Sequence, residues 1–215
     1  MPRTSNAMSS ILFEQKHLLA FEDLPGENDI DDRYHRMQDG HLLVNRIHWC
    51  FMAEIVEVGT FIRVRLLVRD RKGQEIPIAF HLDNDTPINP MIFTKGSTIF
   101  ILYADQHYFA DGTVGIRVEY GQHVLVMQHS MSDILKAQSV TPGECQKCQK
   151  PAGSRCAKCH KATYCSRECQ VSHWGAHKKN CAILRITNRI AATVEAPYVD
   201  FASLTEEGGD MMTPI

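Results

Sequence analysis

The chain has 215 residues, 44% of them hydrophobic and 22% charged, with a formal net charge of −2. Those values sit near the globular average, so they support a packed core and exclude a chain that is disordered throughout. The balanced charge gives no ground for attraction to nucleic acid or membrane as a whole, and no stretch reaches the roughly 18–20 apolar residues of a membrane span.

The charge is unevenly spread. Residues 1–40 hold four Lys/Arg against eight Asp/Glu, residues 141–181 eight against two, and residues 182–215 two against five. A basic island therefore lies between acidic or neutral segments. The first residues lack the uninterrupted apolar core and small-residue cleavage site of a secretory signal. The expected location is intracellular, in nucleus or cytoplasm. Thiols there are kept reduced, so clustered cysteines point to metal before disulfides.

Taken in chain order, residues 1–40 read as an acidic N-terminal extension. Ile11, Leu12, Leu18 and Leu19 fit one face of a short helix, and Pro25, Gly26 and an acidic run break it. The expectation is an arm that packs loosely or not at all.

Residues 41–130 change to a strand pattern. Leu42 to Val58 is a long apolar-rich run, read as one long curved strand. In Phe61 to Arg69, Ile62, Val64, Leu66 and Val68 alternate with Arg63, Arg65 and Arg69, the period of a strand with one buried face. Lys72-Gly73 supplies a turn, and Ile76, Ile78, Phe80 and Leu82 alternate again, which makes a hairpin. A Pro/Asn-rich connection leads to a strand from Thr98 to Tyr103. Asp111-Gly112 marks a further turn before Val114, Ile116 and Val118, and Val124 to Met127 ends the series. This five-strand count suits a small closed barrel and resembles an OB fold, with the Pro-rich segment where that fold places its helix. An SH3-like barrel is the competing arrangement. Ser130 to Gln138 reads as a short helix and Ser139 to Gly143 as a linker, within the connecting segment 131–144.

The strongest signal follows. Seven of the eight cysteines fall between residues 145 and 181, spaced Cys145-x2-Cys148, Cys156-x2-Cys159, Cys165-x3-Cys169 and His177-x3-Cys181. A Cys-x2-Cys knuckle turns tightly enough to aim two thiolates at one metal. A spacing of four on a helix puts two ligands on one face. Eight ligands at four per structural ion imply two Zn2+. Spacing alone leaves His173 as an alternative to His177, since both lie near one helical face.

This segment resembles the MYND-type zinc finger through all eight ligand positions. It also matches at Tyr164 before the fifth ligand, Gln170 after the sixth, and Trp174 three residues before the ligand histidine. The resemblance implies an interleaved pairing, with Cys145, Cys148, Cys165 and Cys169 at one ion and Cys156, Cys159, His177 and Cys181 at the other. It implies a protein-binding module that docks short proline-containing peptides, with Gln170 and Trp174 as contacts. The competing role for Trp174 is an apolar plug in a module with little else to bury. Residues 182–215 read as a short helix and acidic tail.

The fold class expected is thus α+β: a mainly-β, OB-like barrel followed by a zinc-stabilised, helix-containing finger. Two filled ligand sets leave no open position for a zinc-bound water, and no nucleophile, phosphate-loop or methyltransferase motif is present, so the chain is read as a binding protein with no catalytic residues. The second reading is single-stranded nucleic-acid binding on the barrel through Arg63, Arg65, Arg69, Tyr108 and Phe109. Against it, residues 41–130 hold eight Lys/Arg and nine Asp/Glu. No membrane partner is expected.

Overall fold

The computed structural model describes residues 17–38, 40, 42–60, 63–82 and 88–196. The described residues divide into two compact units, one holding residues 17–131 and 194–196 and the other residues 132–193.

Among the described residues the first unit contains ten strands: β1 (Leu18–Leu19), β2 (His35–Gln38), β3 (Leu42–Asn45), β4 (Cys50–Gly59), β5 (Arg65–Asp70), β6 (Glu75–Phe80), β7 (Thr98–Leu102), β8 (His107–Tyr108), β9 (Val114–Val118) and β10 (Val124–Met127). β4, β5 and β6 form an antiparallel meander. β7 returns beside β4, and β9 lies parallel to β6. β10 continues from β9 through a one-turn 3-10 helix, Gly121–His123, and pairs with β7. The ring β7–β4–β5–β6–β9 thus closes through the chain itself. That connectivity is a five-stranded Greek-key barrel of OB type rather than an SH3-like one.

The alternation read in the sequence points into this barrel. Phe51, Ala53 and Ile55 of β4, Leu66 and Val68 of β5, Ile76, Ile78 and Phe80 of β6, and Ile116 and Val118 of β9 belong to one buried cluster. The register of β4 on β5 shifts between Ile55 and Glu57, a bulge that bends the long strand as closure requires. Gly115 lets β9 approach β6, for a Cβ there would sit 2.2 Å from the Pro77 carbonyl oxygen.

Three expectations are corrected. The run from Leu42 to Val58 is not one strand: β3 pairs with β2, and β4 starts only at Cys50. The Pro-rich connection carries a single 3-10 turn, Pro90–Ile92, among its described residues, because Asn89 caps it and prolines restrict its backbone. The loose arm does not hold for residues 18–38. β1 pairs in parallel with Cys50 and Phe51, and Leu19, Phe21, Leu24 and Tyr34 join the core. Asp70 explains the anchoring: its buried carboxylate accepts from Phe21 N at 3.0 Å and from Lys72 N and Gln74 N at 2.9 Å, so one side chain ties the extension to the β5–β6 turn. Ile11 and Leu12, and Phe61 and Ile62 of the expected second strand, lie outside the described residues.

The second unit contains α1 (Met131–Gln138, except its first residue), β11 (Ser154–Arg155), β12 (Thr163–Tyr164) and most of α2 (Arg167–Glu195). β11 and β12 form a small antiparallel ladder. Ser166 caps α2, its Oγ accepting from Cys169 N at 3.3 Å. The short helix expected in the connecting segment is α1, which joins α2 through Gln138 Nε2 donating to Thr187 Oγ1 (2.8 Å) and Lys179 paired with Asp133 (2.9 Å). α2 does not stop at Cys181; it runs on through Ile183, Leu184, Thr187 and Ile190, which are buried.

Candidate metal centres and binding surfaces

The finger places its eight expected ligands in two groups. Cys145, Cys148, Cys165 and Cys169 form one, and Cys156, Cys159, His177 and Cys181 the other, each with its ligand atoms within 4.8 Å of one another. The spacing tests the fit to zinc. With Zn–S near 2.3 Å, a tetrahedral site has sulfur–sulfur edges of about 3.8 Å. The Sγ separations are 3.5 Å for Cys148–Cys165, 3.5 Å for Cys165–Cys169, 4.0 Å for Cys169–Cys148 and 3.9 Å for Cys156–Cys181. His177 Nε2 lies 3.7 Å from Cys159 Sγ. These are tetrahedron edges, and they are far too long for disulfides.

Local structure produces this. The first and second knuckles are tight turns with Gln149 at φ 61° and His160 at φ 54°, where the chain reverses. The third ligand pair straddles the start of α2, and the fourth lies one turn apart on it. Ligand pairs one and three therefore share one ion, and pairs two and four the other. His173 is elsewhere: its Nδ1 is 3.1 Å from the Tyr164 hydroxyl.

The interior of the finger is filled by Tyr164, 1% exposed, with Ala162, Ile183 and Leu184. Trp174 lies at the edge of this interior, its ring centroid 6.0 Å from that of His177. It is 37% exposed, beside Val171 at 66%, and Lys158 Nζ lies 5.6 Å from its ring centroid. Gln170, half-buried, stands one turn before Trp174 on α2.

On the barrel, the arginines expected for nucleic acid are engaged. Arg69 pairs with Glu75 at 2.6 Å and Arg65 with Asp111 at 3.4 Å, while Arg63 Nη1 lies 2.9 Å from His81 Nδ1. Arg63 precedes β5 rather than lying in it. The structure does bring Arg65 over the Phe109 ring, 5.5 Å from its centroid, and leaves Tyr108 72% exposed. Cys50 is fully buried, which pushes its thiol up to about 12.

One feature has no counterpart in the sequence reading. A cavity of about 380 Å3 in the barrel unit is lined by residues from four separate stretches, among them Glu27, Trp49, Asp105 and Tyr120. No spacing rule connects side chains that far apart in the chain. The only local signal is an aspartate, Asp105, next to a buried apolar strand end.

The geometry defines residues 145–181 as a cross-braced finger built around two structural zinc ions. The same residues match the MYND finger family. Among similar proteins, ubiquitin C-terminal hydrolase 15 of Oryza sativa subsp. japonica is 46% identical over 39 residues, 18% of this chain and 4% of that protein. The zinc finger MYND domain-containing protein 10 homolog of Drosophila melanogaster is 33% identical over 72 residues, 29% of this chain and 16% of the relative. The dauer abnormal formation protein 25 of Caenorhabditis elegans is 42% identical over 52 residues, 24% and 13% of the two chains. The chain thus spans a small fraction of each relative. Among solved structures, the S. pombe Stn1–Ten1 complex aligns with 46% of this chain and 70% of its own at 13% identity and a TM-score of 0.31. A mitochondrial single-stranded DNA binding protein of S. cerevisiae, Rim1, aligns with 40% of this chain and all of its own at 14% identity and a TM-score of 0.26. At such TM-scores these add nothing to the strand order described above. Among the described residues no helix is long and apolar enough to cross a membrane.

Proposed function

We propose that this protein is a zinc-dependent interaction module that holds an extended, proline-containing peptide of a partner protein against α2 of its MYND finger. The observation that carries this is the exposure of Trp174 and Val171 on a helix whose zinc ligands already fix it rigidly. An indole face is a flat apolar platform suited to a prolyl ring, and the Gln170 amide offers both a donor and an acceptor to an extended backbone. Lys158 and the basic surface of the finger favour acidic residues flanking the proline. The test is binding of the zinc-loaded chain to an array of proline-containing peptides, beside Trp174→Ala and Gln170→Ala. Loss of binding with two zinc ions retained supports the reading. Unchanged binding by Trp174→Ala refutes it.

A second reading places single-stranded nucleic acid on the barrel. It is supported by exposed Tyr108 next to the Arg65–Phe109 pair, a stacking surface with a cation beside it. The acid partners of Arg65 and Arg69 weigh against it. Oligonucleotide binding that weakens with salt and with Tyr108→Ala would favour it over the peptide reading for this unit.

A further inference from the structure

The barrel is closed at one place by a turn rather than by a ladder. β9 pairs with β6, its continuation β10 pairs with β7, and residues 121–123 carry the chain between them. The 380 Å3 cavity includes this turn in its lining, together with Glu27 and His35 of the N-terminal segment, Trp49, and Tyr103 and Asp105 after β7.

Most polar groups around it are already matched. Trp49 Nε1 donates to the Ala104 carbonyl at 2.9 Å, the Tyr103 hydroxyl meets His48, and the Glu27 carboxylate meets His107. Arg117 is paired with Glu119 at 2.8 Å. Two atoms are different. Asp105 Oδ1 and His35 Nδ1 are buried, and among the described residues neither finds a hydrogen-bond partner. A buried polar atom without a partner has lost its hydration and gained nothing in return. Tyr103, the residue after β7 and also in the lining, is held at φ 56°, a left-handed conformation that is strained for a non-glycine residue. Unpaired polar atoms and backbone strain in the wall of one cavity are the marks of a site shaped for something it binds.

We propose that this cavity binds a primary ammonium group, with Asp105 and His35 accepting its hydrogen bonds and Trp49, Tyr103 and Tyr120 forming its aromatic walls. The chemistry of the open atoms selects the ligand. A carboxylate only accepts, and a neutral imidazole accepts at Nδ1 when its proton is on Nε2. An apolar ligand would leave both atoms unpaired. An anion would meet Glu27, Asp105 and Glu119 against the single guanidinium of Arg117. An ammonium supplies three donors and a compact positive charge, and aromatic faces attract it further. Burial and the Glu27 charge push the Asp105 carboxyl up to about 7, so an incoming cation replaces a proton as its partner.

The same chemistry is offered by a free polyamine and by a lysine side chain of another protein. Calorimetric titration of the full zinc-loaded chain with 1,5-diaminopentane and with Nα-acetyl-lysine methylamide, at about pH 8 where Asp105 is ionised, distinguishes the two by which binds more tightly. Nα-acetyl-norleucine methylamide is the neutral control. The expected result is amine binding that falls about tenfold or more with the norleucine compound and with Asp105→Asn, a near-isosteric change. Tyr120→Ala, altering a half-exposed wall, weakens it less. Equal binding of the norleucine compound, an Asp105→Asn variant with unchanged affinity, or no binding of either amine overturns the proposal.

Discussion

The Tyr164 hydroxyl lies 3.1 Å from Nδ1 of His173, while His177 one turn later reaches toward Cys159 with its Nε2. The two histidines have nearly parallel rings with centroids 6.3 Å apart, yet only one faces a thiolate set. His177→Ala should therefore release one zinc per chain and lower the affinity for the other, because both ligand sets draw on α2. His173→Ala should keep both ions and cost about 1 kcal/mol, the value of one side-chain hydrogen bond. Metal content by mass spectrometry under native conditions separates the two variants.

Zinc removal should act on one unit and not the other. The finger encloses few large apolar side chains, so its folding free energy comes mainly from the metal, roughly 10 kcal/mol or more per structural ion. The barrel has its own core of residues such as Phe51, Ile55, Val68 and Ile78. A strong chelator should abolish the helical signal of residues 167–181 and expose them to protease. Residues 50–127 should stay protected. Protection of the finger that survives complete zinc removal would contradict this account.

Much of this arrangement was legible in the residues. Cys-x2-Cys knuckles and an i,i+4 His–Cys pair are local and carry their own geometry, so eight ligands for two ions could be counted from spacing. The interleaved pairing and His177 rather than His173 were implied by the family resemblance, because pairs far apart in the chain meet only in the fold. The barrel was legible where one face alternates, as at Leu66, Val68, Ile76 and Ile78. What failed was non-local. Leu18 and Leu19 have helical as well as strand patterning, and their fate was decided by the free edge that β4 offers at Cys50 and Phe51. The outer arginines looked available because their partners Glu75 and Asp111 come from other strands and turns. The cavity with Asp105 and His35 depends on how the barrel is closed, and a single sequence does not display closure.

The packing of the N-terminal segment can be measured. Leu19 is 1% exposed and Phe21 6%, both in the barrel core. Truncating either leaves a cavity in a small domain, so Leu19→Ala should lower the unfolding free energy of the barrel by about 2–5 kcal/mol and Phe21→Ala by about 3–5 kcal/mol. Urea denaturation of the zinc-loaded protein gives the values. A change below roughly 0.5 kcal/mol, as for an exposed surface position, would show that residues 18–24 are not part of the core.

The stability of the barrel should depend on pH through two half-buried, desolvated groups of opposite sign. The Asp105 carboxyl is raised to about 7, chiefly by burial and also by Glu27. Unfolded, it titrates near 4. The folded protein therefore holds the extra proton between about pH 4 and 7, and this group makes the fold less stable as pH rises through that window. Burial lowers His123 to about 4, so there the unfolded chain holds the extra proton between about pH 4 and 6.5, and stability rises with pH. In the wild type the two slopes largely offset each other. Asp105→Asn removes one of them. At roughly 1.4 kcal/mol per pH unit, the advantage of Asp105→Asn over wild type should grow by a few kcal/mol from pH 4.5 to 7 and stay level above. Denaturation midpoints of the two proteins at pH 4.5, 6 and 8 test this. Parallel curves would mean that the Asp105 carboxyl is not desolvated in the folded barrel.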